Sequence, residues 1–141
     1  MLKGIPKIIS PQLMKIMMEM GHGDELIIAD GNFPSAANAK RLIRADGHNV
    51  PEILDAILKF FPIDQYDKTP VTLMQVVEGD TTVPVIWDKY VEVMNNNNYE
   101  DKLINHIDRF EFYDRAKDAY AIIATGEEAL YGNIIIKKGV V

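Results

Sequence analysis

Short apolar runs of strand length recur along this chain and alternate with stretches whose apolar residues have helical spacing. The clearest runs are at residues 25–29, 71–77, 119–126 and 132–139, and a shorter one lies within 41–47. Apolar runs of about four to eight residues that are bounded by turn-forming residues are typical of buried strands. Their alternation with helices predicts an α/β fold, a single layered domain whose central, mostly parallel sheet is flanked by helices.

Three helices are predicted from their start signals and apolar faces. Ser10 and Pro11 have the pattern of an N-cap followed by a proline at the first helical position, and Gly21 is a natural stop. Pro51 and Pro84 begin the second and third helices in the same way. The candidate buried positions of the third helix are Val85, Trp87, Tyr90, Val91 and Met94.

The remaining stretches complete this pattern. Residues 103–120 predict a strand that runs into a helix, whereas the polar stretches 30–40 and 95–101 predict surface loops. No internal repeat and no linker-like segment divides the chain. Residues 1–141 are therefore predicted to form one domain.

Charge and cysteine content exclude several classes of function. The chain has 15 Lys and Arg residues against 21 Asp and Glu residues, and this net charge of −6 argues against a nucleic-acid partner. The absence of cysteine excludes disulfides, thiolate catalysis and cysteine-based zinc sites. Proline and charged residues interrupt the apolar stretches of residues 1–21, so neither a signal peptide nor a membrane span is predicted there. A cytoplasmic location fits these features.

His22 lies between Gly21 and Gly23, directly before the first predicted strand. The two glycines allow a sharp bend that could present the imidazole at the mouth of a cleft, where a histidine is well suited to move protons. A histidine near the end of a helix is also a favourable cap, and the glycine-flanked pattern by itself favours that simpler interpretation.

Asp30 follows the first predicted strand and precedes Gly31 and Asn32. Carboxylates just beyond the carboxyl end of a strand commonly bind ligands in open α/β sheets. The same residues are good turn formers, and the pattern does not separate the two interpretations.

No metal site or phosphate-binding loop is predicted. His22, His48 and His106 lack the spacing of a helical zinc motif. The stretch at residues 78–82, EGDTT, lacks the lysine of a phosphate-binding loop, and no serine lies in a nucleophile-elbow pattern.

Aromatic and polar residues are concentrated in the last third of the chain. Arg109, Phe110, Phe112 and Tyr113 lie within five positions, and Tyr131 and Asn133 flank a glycine. Aromatic faces together with amide, guanidinium and carboxylate groups suit a neutral sugar, whose C–H face stacks and whose hydroxyls form directed hydrogen bonds. Aromatic residues at helical spacing are more often part of a core, so this pattern alone does not identify a substrate.

These segments together resemble one known family. EMGHGDELIIADGNFP, IRADG, RFEFYDRAKDAYAIIATGE and YGNIIIKKGV are similar, in their joint order and spacing, to the L-fucose mutarotase family, which is related to the D-ribose pyranases. The resemblance extends over essentially the whole chain. It implies an α/β fold, a ring-shaped homodecamer, no cofactor, and an isomerase that interconverts the anomers of a sugar.

The resemblance also implies roles for particular residues. It implies that His22 is the proton donor and that Tyr113 takes part in acid–base chemistry or binding. On this basis His22 and Asp30 are expected to lie in the wall of one sugar pocket. The residues implied to bind the sugar are Asp30, Asp64, Arg109, Tyr131, Gly132 and Asn133.

Two alternatives to a mutarotase remain at the level of sequence. A D-ribose-type pyranase that interconverts ring forms would use the same groups. A non-catalytic sugar-binding subunit would need the aromatic residues, Asp30 and Arg109, but would have no use for a proton donor at residue 22.

Overall fold

A computed structural model of the protein describes residues 1–102 and 104–141. The part of the chain described contains six strands and five helices. The strands are β1 (Glu25–Ala29), β2 (Leu42–Ala45), β3 (Val71–Met74), β4 (Ile104–Ile107), β5 (Ala121–Thr125) and β6 (Ile134–Lys137). The helices are α1 (Pro11–Glu19), α2 (Ser35–Asn38), α3 (Val50–Leu58), α4 (Ile86–Asn96) and α5 (Arg109–Asp118).

All six strands join one sheet in the order β2-β5-β1-β6-β3-β4. Strands β1 to β5 run in one direction, and only β6 is antiparallel to its neighbours. Ile28 near the end of β1 lies opposite Ile123 of β5 and opposite Ile134 at the start of β6. The predicted α/β class with a mostly parallel sheet is therefore confirmed.

The sheet is buried on both faces because its strands present apolar side chains to two separate cores. Along β1, Leu26 and Ile28 belong to the larger core, and Ile27 and Ala29 belong to the smaller one. This follows from the alternation of side chains along a strand. Helices α1, α3 and α4 contribute to the larger core, whereas α5 contributes to the smaller one.

The predicted starts of α1 and α3 are confirmed, whereas α4 begins at Ile86, two residues after Pro84. The Ser10 hydroxyl accepts a hydrogen bond from the Leu13 amide at 3.1 Å, with Pro11 at the first helical position. Asn49 and Glu52 form a reciprocal capping box at the start of α3. Asp108 caps α5 by accepting hydrogen bonds from the amides of the first turn.

The stretch 30–40, predicted as a loop, contains the short helix α2. Its approach to the sheet is anchored by Phe33, which is buried in the smaller core. The Asn38 side chain also donates to the Pro34 carbonyl and so closes the single turn at 2.8 Å. Tertiary packing thus orders a segment whose composition alone favours a loop.

Helix α4 also differs from the prediction. It continues to Asn96, into the stretch predicted as a loop, and the side-chain amide of the following Asn97 donates to the Asp55 carboxylate at 2.9 Å. Val85 and Val91 are predicted to be buried but are 69% and 43% exposed. Tyr90 and Met94 are buried as predicted, and together with Ile86 they form the buried face at a spacing of one helical turn.

Among the described residues, no helix is both long enough and apolar enough to span a bilayer. The predicted strand in the segment 103–120 is β4, and its expected first residue, 103, lies outside the described residues.

Candidate functional site

Polar side chains from several elements meet at the edge of the sheet where β1 ends. Because β6 is antiparallel to β1, the residues before β6 lie beside the residues after β1. The ends of β3 and β4 reach the same edge, since these strands run parallel to β1. The topology therefore places residues 30–33, 74–80, 109–113 and 130–133 around one cleft, with a volume of about 340 Å3.

Asp30 and Asn133 form the buried floor of this cleft. Asp30 is 5% exposed and Asn133 is 2% exposed. The Asn133 side-chain oxygen accepts a hydrogen bond from the Asp30 amide at 2.9 Å. The Asp30 carboxylate accepts from the amides of Asn32 and Phe33, each at 3.0 Å. Both side chains are thus held in fixed orientations before any ligand arrives.

Burial raises the pKa of the Asp30 carboxyl above its ordinary value, because the charged form loses solvation. Hydrogen bonds from the surrounding amides and from Asn133 oppose the shift by stabilising the carboxylate. Because these hydrogen bonds stabilise the charged form against burial, the Asp30 carboxylate can accept further hydrogen bonds from ligand hydroxyls.

Tyr131 and Gly132 bring the chain unusually close to Asp30. A Cβ atom at Gly132 would lie 3.4 Å from the Asp30 Cβ and 3.0 Å from the Ala129 carbonyl oxygen, so only glycine fits without displacement. Tyr131 has φ of 58°, in the left-handed region that bulky residues rarely adopt. Trp87 Nε1 donates to the Tyr131 carbonyl at 2.9 Å, and the Tyr90 hydroxyl donates to the Gly132 carbonyl. The neighbouring helix α4 thus stabilises this strained turn.

Arg109 and Tyr113 reach the cleft from the first turns of α5. They are four residues apart and therefore lie on the same helix face. The Tyr113 ring packs edge-on against Phe33, with ring centroids 5.2 Å apart, whereas Arg109 is exposed at the rim. Phe112 is fully buried in the core, in agreement with the alternative that aromatic residues at helical spacing belong to a core. Phe110, by contrast, is 70% exposed.

His22 and Asp64 form a second polar group, at the other end of β1. The His22 Nε2 atom lies 3.2 Å from the Asp64 carboxylate, and the His22 ring centroid lies 5.6 Å from that of Tyr66. The His22 side chain is 46% exposed, whereas that of Asp64 is only 6% exposed. Gly23, with φ of 86°, makes the bend that the glycine-flanked pattern predicts.

Asp64 is held as a carboxylate. Burial disfavours its charge, but hydrogen bonds from the Tyr66 amide and from His22 outweigh burial and lower its pKa below the ordinary value. The resemblance implies that Asp64 binds the sugar, and this role stays a prediction. In the structure the Asp64 carboxylate contacts the His22 side chain.

The structure does not bring the two groups together within one chain. The five residues of β1 separate them, a distance of roughly 16 Å for an extended strand. Asp30, Arg109, Tyr113, Tyr131 and Asn133 line the cleft together, with Gly132 in the adjoining turn. The expectation that His22 and Asp30 form the wall of one pocket does not hold within a single copy.

One ionisable residue of the cleft was missed at the level of sequence. Asp80, in the stretch EGDTT, lines the cleft, and its carboxylate accepts a hydrogen bond from the Tyr131 hydroxyl. The signal that could have found it is its position after β3, since β3 ends at the same edge of the sheet as β1. Among the described residues, no group of three or more His, Asp or Glu side chains is arranged to hold a metal ion.

Comparisons with known proteins agree on a single family. Residues 3–141 match the model of the RbsD / FucU transport protein family. The chain is 49% identical over 140 residues to the L-fucose mutarotase of Actinobacillus pleuropneumoniae, covering 99% of this chain and 97% of that protein. It is also 49% identical to the fucose mutarotase of Danio rerio over 147 residues, 99% of this chain and 94% of that protein. The crystal structure of a fucose mutarotase from Streptococcus pneumoniae in complex with L-fucose superposes with a TM-score of 0.95, at 53% identity, covering 99% of each chain.

Proposed function

This chain belongs to the RbsD / FucU transport protein family, and from that premise we propose that it is an L-fucose mutarotase, an isomerase that interconverts the α and β anomers of L-fucose. The names of relatives about half identical over nearly the full chain support this proposal. The D-ribose pyranase alternative uses the same groups and is tested below.

The observation that carries the proposal is the composition of the cleft at the end of β1. Two carboxylates, two side-chain amides, a guanidinium and two phenol hydroxyls line a space of about 340 Å3. That is near the lower end of the range for small-molecule sites, roughly 300–1,000 Å3, and suits a monosaccharide. In this proposal Asp30, Arg109, Tyr131 and Asn133 hold the sugar hydroxyls.

Mutarotation opens a cyclic hemiacetal to the free aldehyde and recloses it on the other face. We propose that His22 delivers a proton to the ring oxygen as the bond from that oxygen to the anomeric carbon breaks. Tyr113 takes the proton from the anomeric hydroxyl as it passes its own proton to a neighbouring water, or a water held beside Tyr113 takes the proton directly. On reclosure the two groups exchange roles, so no proton is gained or lost and no cofactor is required. Each well-placed acid–base group contributes about 10²–10⁴-fold to the rate.

The contact between Asp64 and His22 supports the role of the histidine. An Nε2–H that donates to the Asp64 carboxylate leaves Nδ1 as the exposed nitrogen that exchanges protons. Asp64 thus orients His22, beside any contact that it makes with the sugar itself.

The separation of His22 from the cleft supports an assembly in which sites are shared. We propose a homo-oligomer, a decamer as the family resemblance implies, in which His22 of one copy faces the cleft of another. The half-exposed His22 side chain is available for such a contact. Residues 1–141 form one domain in this proposal, since all six strands join one sheet. A cytoplasmic location is proposed, consistent with a chain that contains no cysteine.

Exchange NMR on the anomeric protons of L-fucose tests the activity directly. With added protein, the α and β anomers are expected to interconvert far faster than they do in the uncatalysed reaction. D-ribose, followed by its pyranose and furanose signals, is the matched comparison substrate. No acceleration with L-fucose would contradict the proposal, and acceleration with D-ribose alone would favour the pyranase. Fucose binding without acceleration would favour a non-catalytic subunit.

A further inference from the structure

The loop between β3 and α4, residues 75–85, lines the cleft through Val77 and through the Asp80 carboxylate. Asp80 Oδ2 lies 2.5 Å from the Tyr131 hydroxyl oxygen, and both residues line the cleft. Asp80 is itself held in place, because its Oδ1 accepts a hydrogen bond from the Thr82 amide at 2.8 Å. Gly79, with φ of 87°, makes the turn that brings this carboxylate to the tyrosine.

The contact determines how the tyrosine can bind a sugar. A phenol has one proton to donate and lone pairs to accept with. The Asp80 carboxylate uses the proton, and the Val77 amide lies 3.4 Å from the oxygen as a weak donor. The Tyr131 oxygen can therefore only accept from a ligand in the cleft.

We infer that Asp80 is the positioning residue that orients the Tyr131 hydroxyl for sugar binding, by accepting its proton so that the oxygen presents only lone pairs to a donating sugar hydroxyl. This inference rests on the proposed function and assigns a role to a residue that the family resemblance does not include. It also gives a reason for the strained backbone of Tyr131, whose carbonyl is held by Trp87 and whose hydroxyl is held by Asp80.

The electrostatics of the pair agree with the geometry. The hydrogen bond to the Asp80 carboxylate raises the pKa of Tyr131, so the phenol stays protonated. Hydrogen bonds from Thr82 and from Tyr131 lower the pKa of Asp80, so its carboxyl stays ionised. The direction of the shared proton, from tyrosine to aspartate, is therefore the same over the working range of pH.

A double-mutant cycle in L-fucose binding tests the inference. The variants are Asp80→Ala, Tyr131→Phe and the combination, and binding is followed by the fluorescence of Trp87, the single tryptophan, which contacts the Tyr131 carbonyl. Each single change is expected to weaken binding about fivefold, and the combination is expected to weaken it no further than Tyr131→Phe alone. Glu78→Ala, which removes an exposed carboxylate from the same loop, is the matched control and is expected to bind as the wild type does.

Two further readouts separate positioning from a general effect on the fold. The KM for L-fucose is expected to rise in Asp80→Ala while kcat stays within about twofold, because Asp80 contacts no reacting atom in this scheme. Titration of phenolate absorbance, with Tyr131→Phe as the blank, is expected to show a lower pKa for Tyr131 once Asp80 is removed. Thermal unfolding of each variant verifies that it is folded.

The possible outcomes distinguish this inference from the proposed function. If Asp80→Ala binds L-fucose as the wild type does, or if the two single losses multiply in the combination, the positioning role is wrong. If the wild type neither binds L-fucose nor accelerates its exchange, the proposed function fails. In that case the phenolate titration decides the inference, since an unchanged Tyr131 pKa in Asp80→Ala overturns it.

Discussion

The two ends of β1 carry polar groups of opposite character. At the carboxyl end, Asp30 and Asn133 are almost fully buried and are held by backbone hydrogen bonds. At the amino end, His22 is half exposed and forms a side-chain hydrogen bond with Asp64. The buried and hydrogen-bonded cleft suits a site that binds and orients a ligand, whereas the exposed histidine is proposed to meet its substrate across a subunit interface. We therefore expect changes at the carboxyl end of β1 to affect binding and changes at the amino end to affect the rate.

The largest effect is expected on the rate when the amino end is altered. His22→Ala removes the proposed proton donor and is expected to lower the rate of L-fucose exchange by about 10²–10⁴-fold. Binding is expected to change little, because the cleft at the other end of β1 remains intact. NMR exchange rates and titration calorimetry measure the two quantities separately. His48→Ala, at an exposed pair with Glu52, is the matched control. An unchanged rate would leave mutarotation standing but remove His22 from the mechanism.

The next effect is expected on binding when the carboxyl end is altered. Asp30→Asn keeps the shape of the side chain but removes the negative charge that is proposed to accept hydrogen bonds from the sugar hydroxyls, and is expected to weaken L-fucose binding about a hundredfold. Asp46→Asn, at an exposed pair with Arg44 near the same edge of the sheet, should bind as the wild type does. Equal affinities of the Asp30→Asn variant and the wild type would show that the sugar binds elsewhere.

Mixing the two variants tests whether the two ends act across a subunit interface. In a mixed oligomer, an intact cleft from a His22→Ala chain can face an intact histidine from an Asp30→Asn chain. Random association of equal amounts is expected to restore about a quarter of the wild-type sites. The exchange rate after co-refolding is the measurement, and each variant refolded alone is the control. A mixture no more active than its components would place the whole site within one chain.

The smallest effect is expected in the pH dependence of stability, where the two carboxylates should differ in sign. The pKa of Asp64 is lowered in the folded state, so its stabilisation is present above about pH 4 and is lost as the pH falls through its folded value. The pKa of Asp30 is raised, so a destabilisation appears as the pH rises from about 4 through its folded value. Each effect is expected to stay below about 1 kcal/mol, because burial and hydrogen bonds shift the pKa of each carboxyl in opposite directions.

Urea unfolding between about pH 3 and pH 7 measures this contrast in Asp64→Asn and Asp30→Asn. The stability advantage of the wild type over Asp64→Asn should grow as the pH rises, and its advantage over Asp30→Asn should shrink. If the stability difference between wild type and variant changed with pH in the same direction for both variants, the two carboxyls would not have pKa shifts of opposite sign.

Most of the elements could be predicted from local signals. The strand at residues 25–29 and the start of α1 follow from an apolar run and from a capping serine before a proline, which act over a few neighbouring residues. The helix α2 and the extension of α4 could not be predicted in this way. They depend on the burial of Phe33 and on the contact of Asn97 with Asp55, partners that are distant in the chain.

The candidate site likewise depends partly on local sequence and partly on contacts between residues that are distant in the chain. The sequence by itself determined the residue types, the strand that separates His22 from Asp30, and a resemblance that names their roles. Only the tertiary structure decided that Tyr131 and Asn133 lie beside Asp30, since the antiparallel pairing of β6 with β1 joins residues about a hundred positions apart. It also brought Asp80 to Tyr131 and paired Asp64 with His22. The physical reason is that core packing and strand pairing set the distances between these residues, which cannot be read from local secondary-structure propensities.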